Sequence, residues 1–350
     1  MKSHIISESA TLIKALDRLN TLPGGSMTLF AVDESGKLTG SLTDGDIRRG
    51  LLAGLGLDAP VARAARHDFK ALRPDNAHAV ATLRQWRESG ITLVPRLDNE
   101  GKIQEIIDLH ATRTRLPVGA ILMAGGKGER LRPLTLNTPK PLLEIEGKAI
   151  IDYNIEALAS VGVNDITVTT RYLADQIADH FANPVAGVHV KCVKEENPLG
   201  TIGAATLVSL PADGSTIVMN SDLLTTISFE ELYLKHAGSR ADITIAVVPY
   251  QVAVPFAILT LDGERVTGLA EKPSYSYYAN AGIYMFRNSV LRTLQPDTRT
   301  DATDLIERVI AAGGNVAYYP IKGTWIDVGS PTDFRQAAEL MRHHNNLSVN

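Results

Sequence analysis

Apolar positions fall at helical spacing twice in the first hundred residues, at Leu12, Ile13, Leu16 and Leu19 and again at Val80, Leu83 and Trp86. Each helical pattern runs into a short apolar strand, a polar Gly-Lys turn and a second strand. Met27-Thr28-Leu29, Asp33 and Gly36-Lys37 in the first stretch answer to Ile91-Thr92-Leu93, Asp98 and Gly101-Lys102 in the second, which predicts an internal repeat. A unit of about 55 residues buries little surface alone, so the two copies are expected to pair. Residues 113–117, polar and ending in proline, read as a linker.

From Val118 the pattern changes to strands alternating with amphipathic helices. Strands are predicted over 119–123, 165–170, 187–193, 216–219 and 242–248, and helices over 150–159, 173–180, 202–209 and 229–236. Shorter strands follow over 256–261, 266–270 and 281–286, and a last helix begins near Pro331. The expected fold class is α/β: a mainly parallel sheet covered on both faces over residues 118–350, preceded by a small α+β tandem repeat over 1–114. Ligands of such a sheet bind at the carboxyl ends of its strands.

At 350 residues the chain has room for two domains, and 44% hydrophobic with 21% charged residues is an ordinary globular balance. Lys plus Arg number 35 against 39 Asp plus Glu, a net charge of −4 with no basic tail, which disfavours a nucleic-acid partner. The lone Cys192 excludes an intrachain disulfide and a cysteine-rich zinc site, and it reads as a small packed residue. The first residues hold no apolar signal core and no apolar run reaches about 18 residues, so no membrane partner and a cytoplasmic location are expected.

The predicted strand over 119–123 runs directly into Ala124-Gly125-Gly126-Lys127-Gly128-Glu129-Arg130-Leu131-Arg132-Pro133-Leu134-Thr135. Three glycines beside three cations suit a loop whose bare amides approach phosphates while the side chains neutralise them. It is neither of two common phosphate loops: no GK[ST] ends it, and Leu131 stands where a third glycine of GxGxxG would fall. Pro139-Lys140-Pro141-Leu142-Leu143 comes shortly after. Further along stand Asn197-Pro198-Leu199-Gly200-Thr201, Asn220-Ser221-Asp222, Glu271-Lys272-Pro273, Asn280-Ala281-Gly282 and Trp325-Ile326-Asp327-Val328-Gly329.

Taken in order, these stations resemble the sugar-1-phosphate nucleotidyltransferases, over about residues 118–345. The resemblance implies a Rossmann-like domain in which Ala124, Gly125, Gly126 and Gly128 carry the nucleotide and the base lies against Pro198, Leu199, Gly200 and Thr201. It puts Arg130 on the triphosphate and Lys140 beside the reacting phosphates, with Lys127 facing solvent. Glu271, Lys272 and Asn280 are implied in sugar phosphate binding, and Asp222 and Asp327 as ligands of Mg²⁺. Hard carboxylate oxygens completed by phosphate and water suit that ion. Ser221 stands where the family carries glycine.

The implied reaction joins a nucleoside triphosphate to a sugar-1-phosphate and releases pyrophosphate. The sugar phosphate already bears an anionic oxygen, so positioning and charge neutralisation carry the catalysis and no strong base is needed. The PLGTxGA turn and the domain arrangement resemble guanylyltransferases acting on mannose-1-phosphate or glucosamine-1-phosphate for surface glycans, which points to GTP. Uridylyl, cytidylyl or thymidylyl transfer, and a non-catalytic nucleotide sensor, are the alternatives.

The first 114 residues resemble a pair of cystathionine-β-synthase domains. Gly40-Ser41-Leu42-Thr43-Asp44-Gly45-Asp46-Ile47-Arg48-Arg49 matches that family's nucleotide segment, implying Thr43 on phosphate and Asp46 on ribose of a regulatory nucleotide. Asp108 and Ala111 replace them in the second copy, so a single site is expected, with an assembly role for the pair as the alternative. A homo-oligomer is expected. Tyr275, Tyr277 and Tyr278 could flank the sugar or make a subunit contact.

Overall fold

The computed structural model describes residues 2–22, 27–74, 76 and 78–347. Contacts divide the chain into two units, Met1–Arg115 and Leu116–Asn350.

In the first unit, β1 (Ile5–Ser7), α1 (Leu12–Asn20), β2 (Thr28–Val32), β3 (Leu38–Thr43) and α2 (Asp44–Leu52) form the first repeat. Strand β2 pairs in parallel with β1 and antiparallel with β3. The second repeat supplies α3 (Ala79–Glu88), β4 (Leu93–Leu97) and β5 (Ile103–Asp108), the two strands antiparallel. Leu12, Leu19, Leu29, Leu42 and Ile47 make one core, and Leu83, Val94 and Ile107 another. Phe30 and Leu38 of the first copy close with Leu93 and Leu97 of the second, which is the burial that neither copy achieves alone. The copies differ after the last strand. The first continues into α2, whereas in the second Asp108 Oδ1 accepts the His110 and Ala111 amides at 2.8 and 3.4 Å and the chain turns away.

The second unit contains β6 (Val118–Ala124), β7 (Glu144–Ile145), β8 (Lys148–Ala149), α4 (Ile150–Ala159), β9 (Ile166–Thr170), α5 (Ala174–His180) and β10 (Lys191–Lys194). There follow β11 (Ser215–Asn220), β12 (Leu223–Thr225), α6 (Phe229–Ser239), β13 (Ile243–Ala253), β14 (Ile258–Asp262), β15 (Arg265–Ala270) and β16 (Ser274–Arg287). The chain closes with α7 (Asn288–Leu291), α8 (Ala302–Ala311), β17 (Val316–Pro320), β18 (Trp325–Asp327) and α9 (Pro331–Leu347). Seven strands build the central sheet in the order β10-β9-β6-β11-β16-β13-β17. Only β16 runs against its neighbours, so the sheet is mostly parallel. Ile121 and Leu122, on opposite faces of β6, are both buried, as a strand covered on both sides requires.

The chain leaves β6 toward β9 and β10, then crosses back to β11 on the other side. The carboxyl ends of β6 and β11 therefore lie together at the reversal of strand order, with Asn220 in register with Met123.

Four of the expected elements differ most from the sequence expectation. The helix over 202–209 is only a 3₁₀ turn, Gly203–Leu207, because the Ile202 and Gly203 amides both donate to the Thr300 carbonyl (3.1 and 3.2 Å) instead of entering a helix. The strand over 187–193 shrinks to Lys191–Lys194, since Val188 turns back on Val185. The ends of β13 and β16 run several residues past the expected strands, through positions that are exposed.

Candidate active site

The glycine loop begins where β6 leaves the core. Gly128 has φ +61°, and a Cβ there would lie 3.0 Å from Thr135 Cγ2 and 3.1 Å from Lys140 Cβ, so both conformation and space demand glycine. It starts the 3₁₀ turn Glu129–Leu131, which buries Leu131 in the core and leaves Arg130 exposed. Thr135 Oγ1 donates to the Gly128 carbonyl at 2.8 Å and folds the loop back on itself. A second 3₁₀ turn, Lys140–Leu142, follows Pro139 and carries Lys140 into the molecule. That lysine is 8% exposed, a position lysine occupies only when paired.

Its partners are the two aspartates. Lys140 Nζ donates to Asp222 Oδ2 and lies 3.5 Å from Asp327 Oδ1. Asp222 and Asp327 are 105 positions apart (222 to 327), yet β12 and β18 form an antiparallel ribbon that sets Leu223 opposite Asp327, and the Val328 amide donates to the Asp222 carbonyl at 3.2 Å. Burial raises the Asp327 carboxyl above its ordinary range and the neighbouring Asp222 charge raises it further, against the opposing pull of Lys140 and Arg130. A Cβ on Gly329 would lie 3.2 Å from the Arg130 guanidinium, so the absence of a side chain lets that cation reach the β18 turn.

Asp222 Oδ1 is buried and accepts no hydrogen bond. An acceptor left so costs stability unless something positive reaches it. Two carboxylates, one with a spare buried oxygen, fit a hard divalent cation. Among the described residues no group of three or more His, Cys, Asp or Glu converges, so phosphate oxygens and water would have to complete the shell.

A cleft of about 440 Å³ opens here, lined by Ala124, Gly126, Gly128, Arg130, Lys140 and Asp222 of the expected residues. Lys127, expected to face solvent, is exposed but also lines it. Ser221 donates to the Met123 carbonyl from both its amide (3.2 Å) and its hydroxyl (2.7 Å), clamping β11 to β6 at the cleft, which both residues line.

The other expected residues lie elsewhere. Leu199 is buried, and Gly200, at φ +80°, passes so close to the Thr300 carbonyl that a Cβ would sit 2.5 Å from it. The Thr201 amide donates to Asp301 Oδ1 at 2.9 Å and its hydroxyl accepts from the Ala302 amide at 2.8 Å, fastening the Pro198–Thr201 turn to the start of α8. Glu271 and Lys272 are exposed in the turn between β15 and β16. Asn280 Nδ2 donates to the Tyr284 hydroxyl at 2.9 Å and its oxygen accepts the Gly282 amide at 3.0 Å. Next to it the Ala281 carbonyl accepts from Trp325 Nε1 at 2.9 Å, which ties this strand to the ribbon of the aspartates. Cys192 is half-buried and burial raises its thiol, the opposite of an activated nucleophile.

Sequence reasoning missed Glu195. It is buried, its amide donates to the Thr170 carbonyl at 2.8 Å, and a Cβ on Gly125 would lie 2.9 Å from its Oε1. Burial pushes its carboxyl up, with the Leu199 amide and the Arg171 charge pulling the other way. Its place one residue past β10 and five before a glycine turn was readable; its burial was not.

In the first unit a cleft of about 340 Å³ is lined by Ser41, Thr43 and Thr92, the cations Arg66 and Lys70, and Phe69 among others. Thr43 therefore lies on it. Asp46 does not line it. Asp46 Oδ2 accepts from the Thr43 hydroxyl (2.6 Å) and amide (2.9 Å), and Oδ1 from Arg49 (2.6 Å), in a capping box at the start of α2. Burial would raise this carboxyl, but the hydrogen bonds from Thr43 and Arg49 outweigh it and hold the group below its usual range.

A glycine loop and a carboxylate pair thus stand at the switch point of a mostly parallel α/β sheet, where ligands of such sheets bind. The nucleotidyl transferase family model matches residues 119–344, and the chain belongs to that family. It is 32% identical over 224 residues to the mannose-1-phosphate guanylyltransferase catalytic subunit beta of Dictyostelium discoideum, covering 61% of this chain and 62% of that protein. It is 30% identical over 224 residues to the mannose-1-phosphate guanyltransferase beta-B of Xenopus laevis, with the same coverage. The chain thus spans about three fifths of the length of these relatives. A Bacillus anthracis crystal structure with bound sucrose shares the fold, at 21% identity and a TM-score of 0.51 over 64% of this chain and 95% of that one. Among the described residues no helix is long and apolar enough to cross a membrane.

Proposed function

We propose that the chain transfers a nucleotidyl group from a nucleoside triphosphate to a sugar-1-phosphate, forming an NDP-sugar and pyrophosphate. The observation that carries this reading is the buried Lys140 that lines the glycine-loop cleft together with Asp222 and pairs with both Asp222 and Asp327. A phosphate oxygen of the sugar attacks the α-phosphorus, the new O–P bond forms, and the bond to the β-phosphate oxygen breaks to release pyrophosphate. The backbone amides of the loop, with Arg130 and Lys140, cradle the triphosphate and neutralise charge that would otherwise hold two polyanions apart. Asp222 and Asp327 would hold Mg²⁺, which when bound supplies Lewis-acid stabilisation of phosphoryl oxygens. Glu271, Lys272 and Asn280 are assigned to the sugar phosphate, and Pro198, Leu199, Gly200 and Thr201 to the base through backbone groups.

Among the bases the reading favours GTP, with mannose-1-phosphate or glucosamine-1-phosphate as acceptor. It rests on the PLGTxGA turn and on relatives named for mannose-1-phosphate and guanylyl transfer. A consumer of nucleoside triphosphates of this kind works in the cytoplasm. Pyrophosphate release with the four triphosphates, each offered with both sugar phosphates, tests this. GTP should give the highest kcat/KM, and a higher value with UTP, CTP or dTTP ends the guanylyl reading while leaving the transfer reaction standing.

The first unit is read as a regulatory site for one nucleotide, its phosphate on Arg66 and Lys70 and on Thr43, whose hydroxyl would have to turn from Asp46 to donate to it. Ribose binding by Asp46 would have to compete with the bonds from Thr43 and Arg49. Equilibrium binding to the full chain should find one nucleotide more than the transfer site accounts for, and Arg66→Ala/Lys70→Ala should remove it. Stoichiometry unchanged by that pair would leave assembly as the better account. The chain is also read as a homo-oligomer.

A further inference from the structure

The ends of β13 and β16 leave the central sheet. Strand β17 accompanies β13 as far as Val247, and β11 accompanies β16 from Ile283 onward, so residues 248–253 and 274–279 form a two-stranded ribbon that no third strand flanks among the described residues. Register fixes its two faces. Tyr250 stands opposite Tyr277 and Val252 opposite Tyr275, all on one face, while Pro249 opposes Tyr278, Gln251 opposes Ser276 and Ala253 opposes Ser274 on the other, where the Tyr278 ring packs on Tyr318 with centroids 5.4 Å apart. The face of Tyr250, Val252, Tyr275 and Tyr277 is thus the more apolar of the two, as in a strand pair with one covered face.

The hairpin β14–β15 repeats the pattern at the tip. Leu259 opposes Leu269 and Leu261 opposes Val266 on one face. All these apolar side chains are exposed: Tyr250 60%, Tyr277 59%, Leu261 63% and Leu269 64%. A two-stranded ribbon with no covered face is marginal in water, and its unpaired edges invite pairing. Two consecutive ribbons built that way imply a cover.

We propose that this apolar face is the interface at which two copies of the chain associate, the Tyr250–Tyr277 patch of one against the Leu259–Leu269 patch of the other. This deepens the homo-oligomer reading above and rests on it. The argument is one of area and charge. These side chains expose on the order of 1,000 Å², and a stable interface takes about 800 Å² from each partner. Residues 249–278 carry three acids (Asp262, Glu264, Glu271) and two bases (Arg265, Lys272), so a face of this kind meets its own copy without strong repulsion and selects for no strongly charged partner. An aromatic and an aliphatic patch on one arm also supply the two unlike halves that a twofold contact uses reciprocally.

Sedimentation of the full chain at micromolar concentration should show a dimer or a multiple of it. Tyr277→Glu/Leu269→Glu should shift it to monomer, and Gln251→Glu/Ser276→Lys, on the opposite face, should not. A monomeric wild type sinks both this proposal and the homo-oligomer reading. An assembly that survives Tyr277→Glu/Leu269→Glu, or that is lost equally in the opposite-face variant, sinks the surface alone. Hydrogen exchange on the unmodified protein decides the matter even if a variant fails to fold. Amides of 258–270 should be protected at high concentration and lose that protection on dilution, whereas protection indifferent to dilution would mean that the chain covers itself.

Discussion

The turns at Thr43–Asp46 and Asn220–Asp222 begin alike, each placing an aspartate just past a strand that comes out of a core. Their carboxylates meet opposite fates. Asp46 spends both oxygens within three residues of itself, on Thr43 and Arg49, and its carboxyl is held low. Asp222 gives one oxygen to a lysine 82 positions away and keeps the other buried and unclaimed, while its neighbour Asp327 is pushed high by burial and by that same Asp222. A carboxylate satisfied by its own turn stabilises a helix. One kept from local partners and set beside a second negative charge costs stability, and that cost marks a group poised for a ligand.

The sharpest way to break the contrast is to remove charge on the unclaimed side. Asp222→Asn and Asp327→Asn should each lower Mg²⁺-dependent turnover by about 1,000-fold or more while circular dichroism stays native, because an amide offers a hard cation no negative charge. Near-normal turnover in either would make that aspartate a turn former, like Asp46. Removing the cations should come next: Arg130→Ala and Lys140→Ala are expected to lower kcat/KM by about 100-fold. Lys127→Ala should do less, and greater sensitivity at Lys127 would reassign the loop cations.

On the satisfied side the effect should be on stability. Asp46→Ala is expected to destabilise the first unit by about 1–2 kcal/mol at neutral pH, the loss of a capping box, with turnover little changed. The sign with pH follows from the lowered carboxyl. Its contribution is present above the unfolded value near 3.8 and is lost as pH falls through the folded one, so urea unfolding of wild type and variant should converge in acid. A gap that persists there would assign the cost to something other than the ionised carboxylate. The smallest effect is expected at Ser221→Gly, which restores the family residue. It should cost about 1 kcal/mol, because the Met123 carbonyl keeps the amide bond when it loses the hydroxyl. A larger drop in stability would mean that the hydroxyl carries the clamp between β6 and β11.

Much of the sheet was legible because its strands are apolar and its helices amphipathic; the helix over 150–159 is found at those residues. The meeting of Asp222 and Asp327 was legible only through family resemblance, since β12 and β18 are three residues each and too short for any period to be read. The 202–209 segment misled because its apolar spacing is real while its amides are spoken for by Thr300, a contact 98 positions from Ile202. Glu195 was missed because its burial depends on Gly125, a neighbour in space that spacing along the chain does not announce. The Tyr250–Val252 and Tyr275–Tyr277 alternation was present in the letters, but alternation alone does not say whether the apolar face meets the same chain or another.

The ribbon of β12 and β18 also bears on time. A chain made from its amino end completes the glycine loop, Lys140 and Asp222 well before it reaches Asp327. Closing so long a loop carries an entropic cost that only the finished sheet can offset. The carboxylate pair is therefore among the last features the folding chain can assemble, and a nascent or truncated chain ending before β18 would have the glycine loop, Lys140 and Asp222 without the second acid. In this architecture the order of synthesis itself withholds the complete site until nearly all of the second unit has been made.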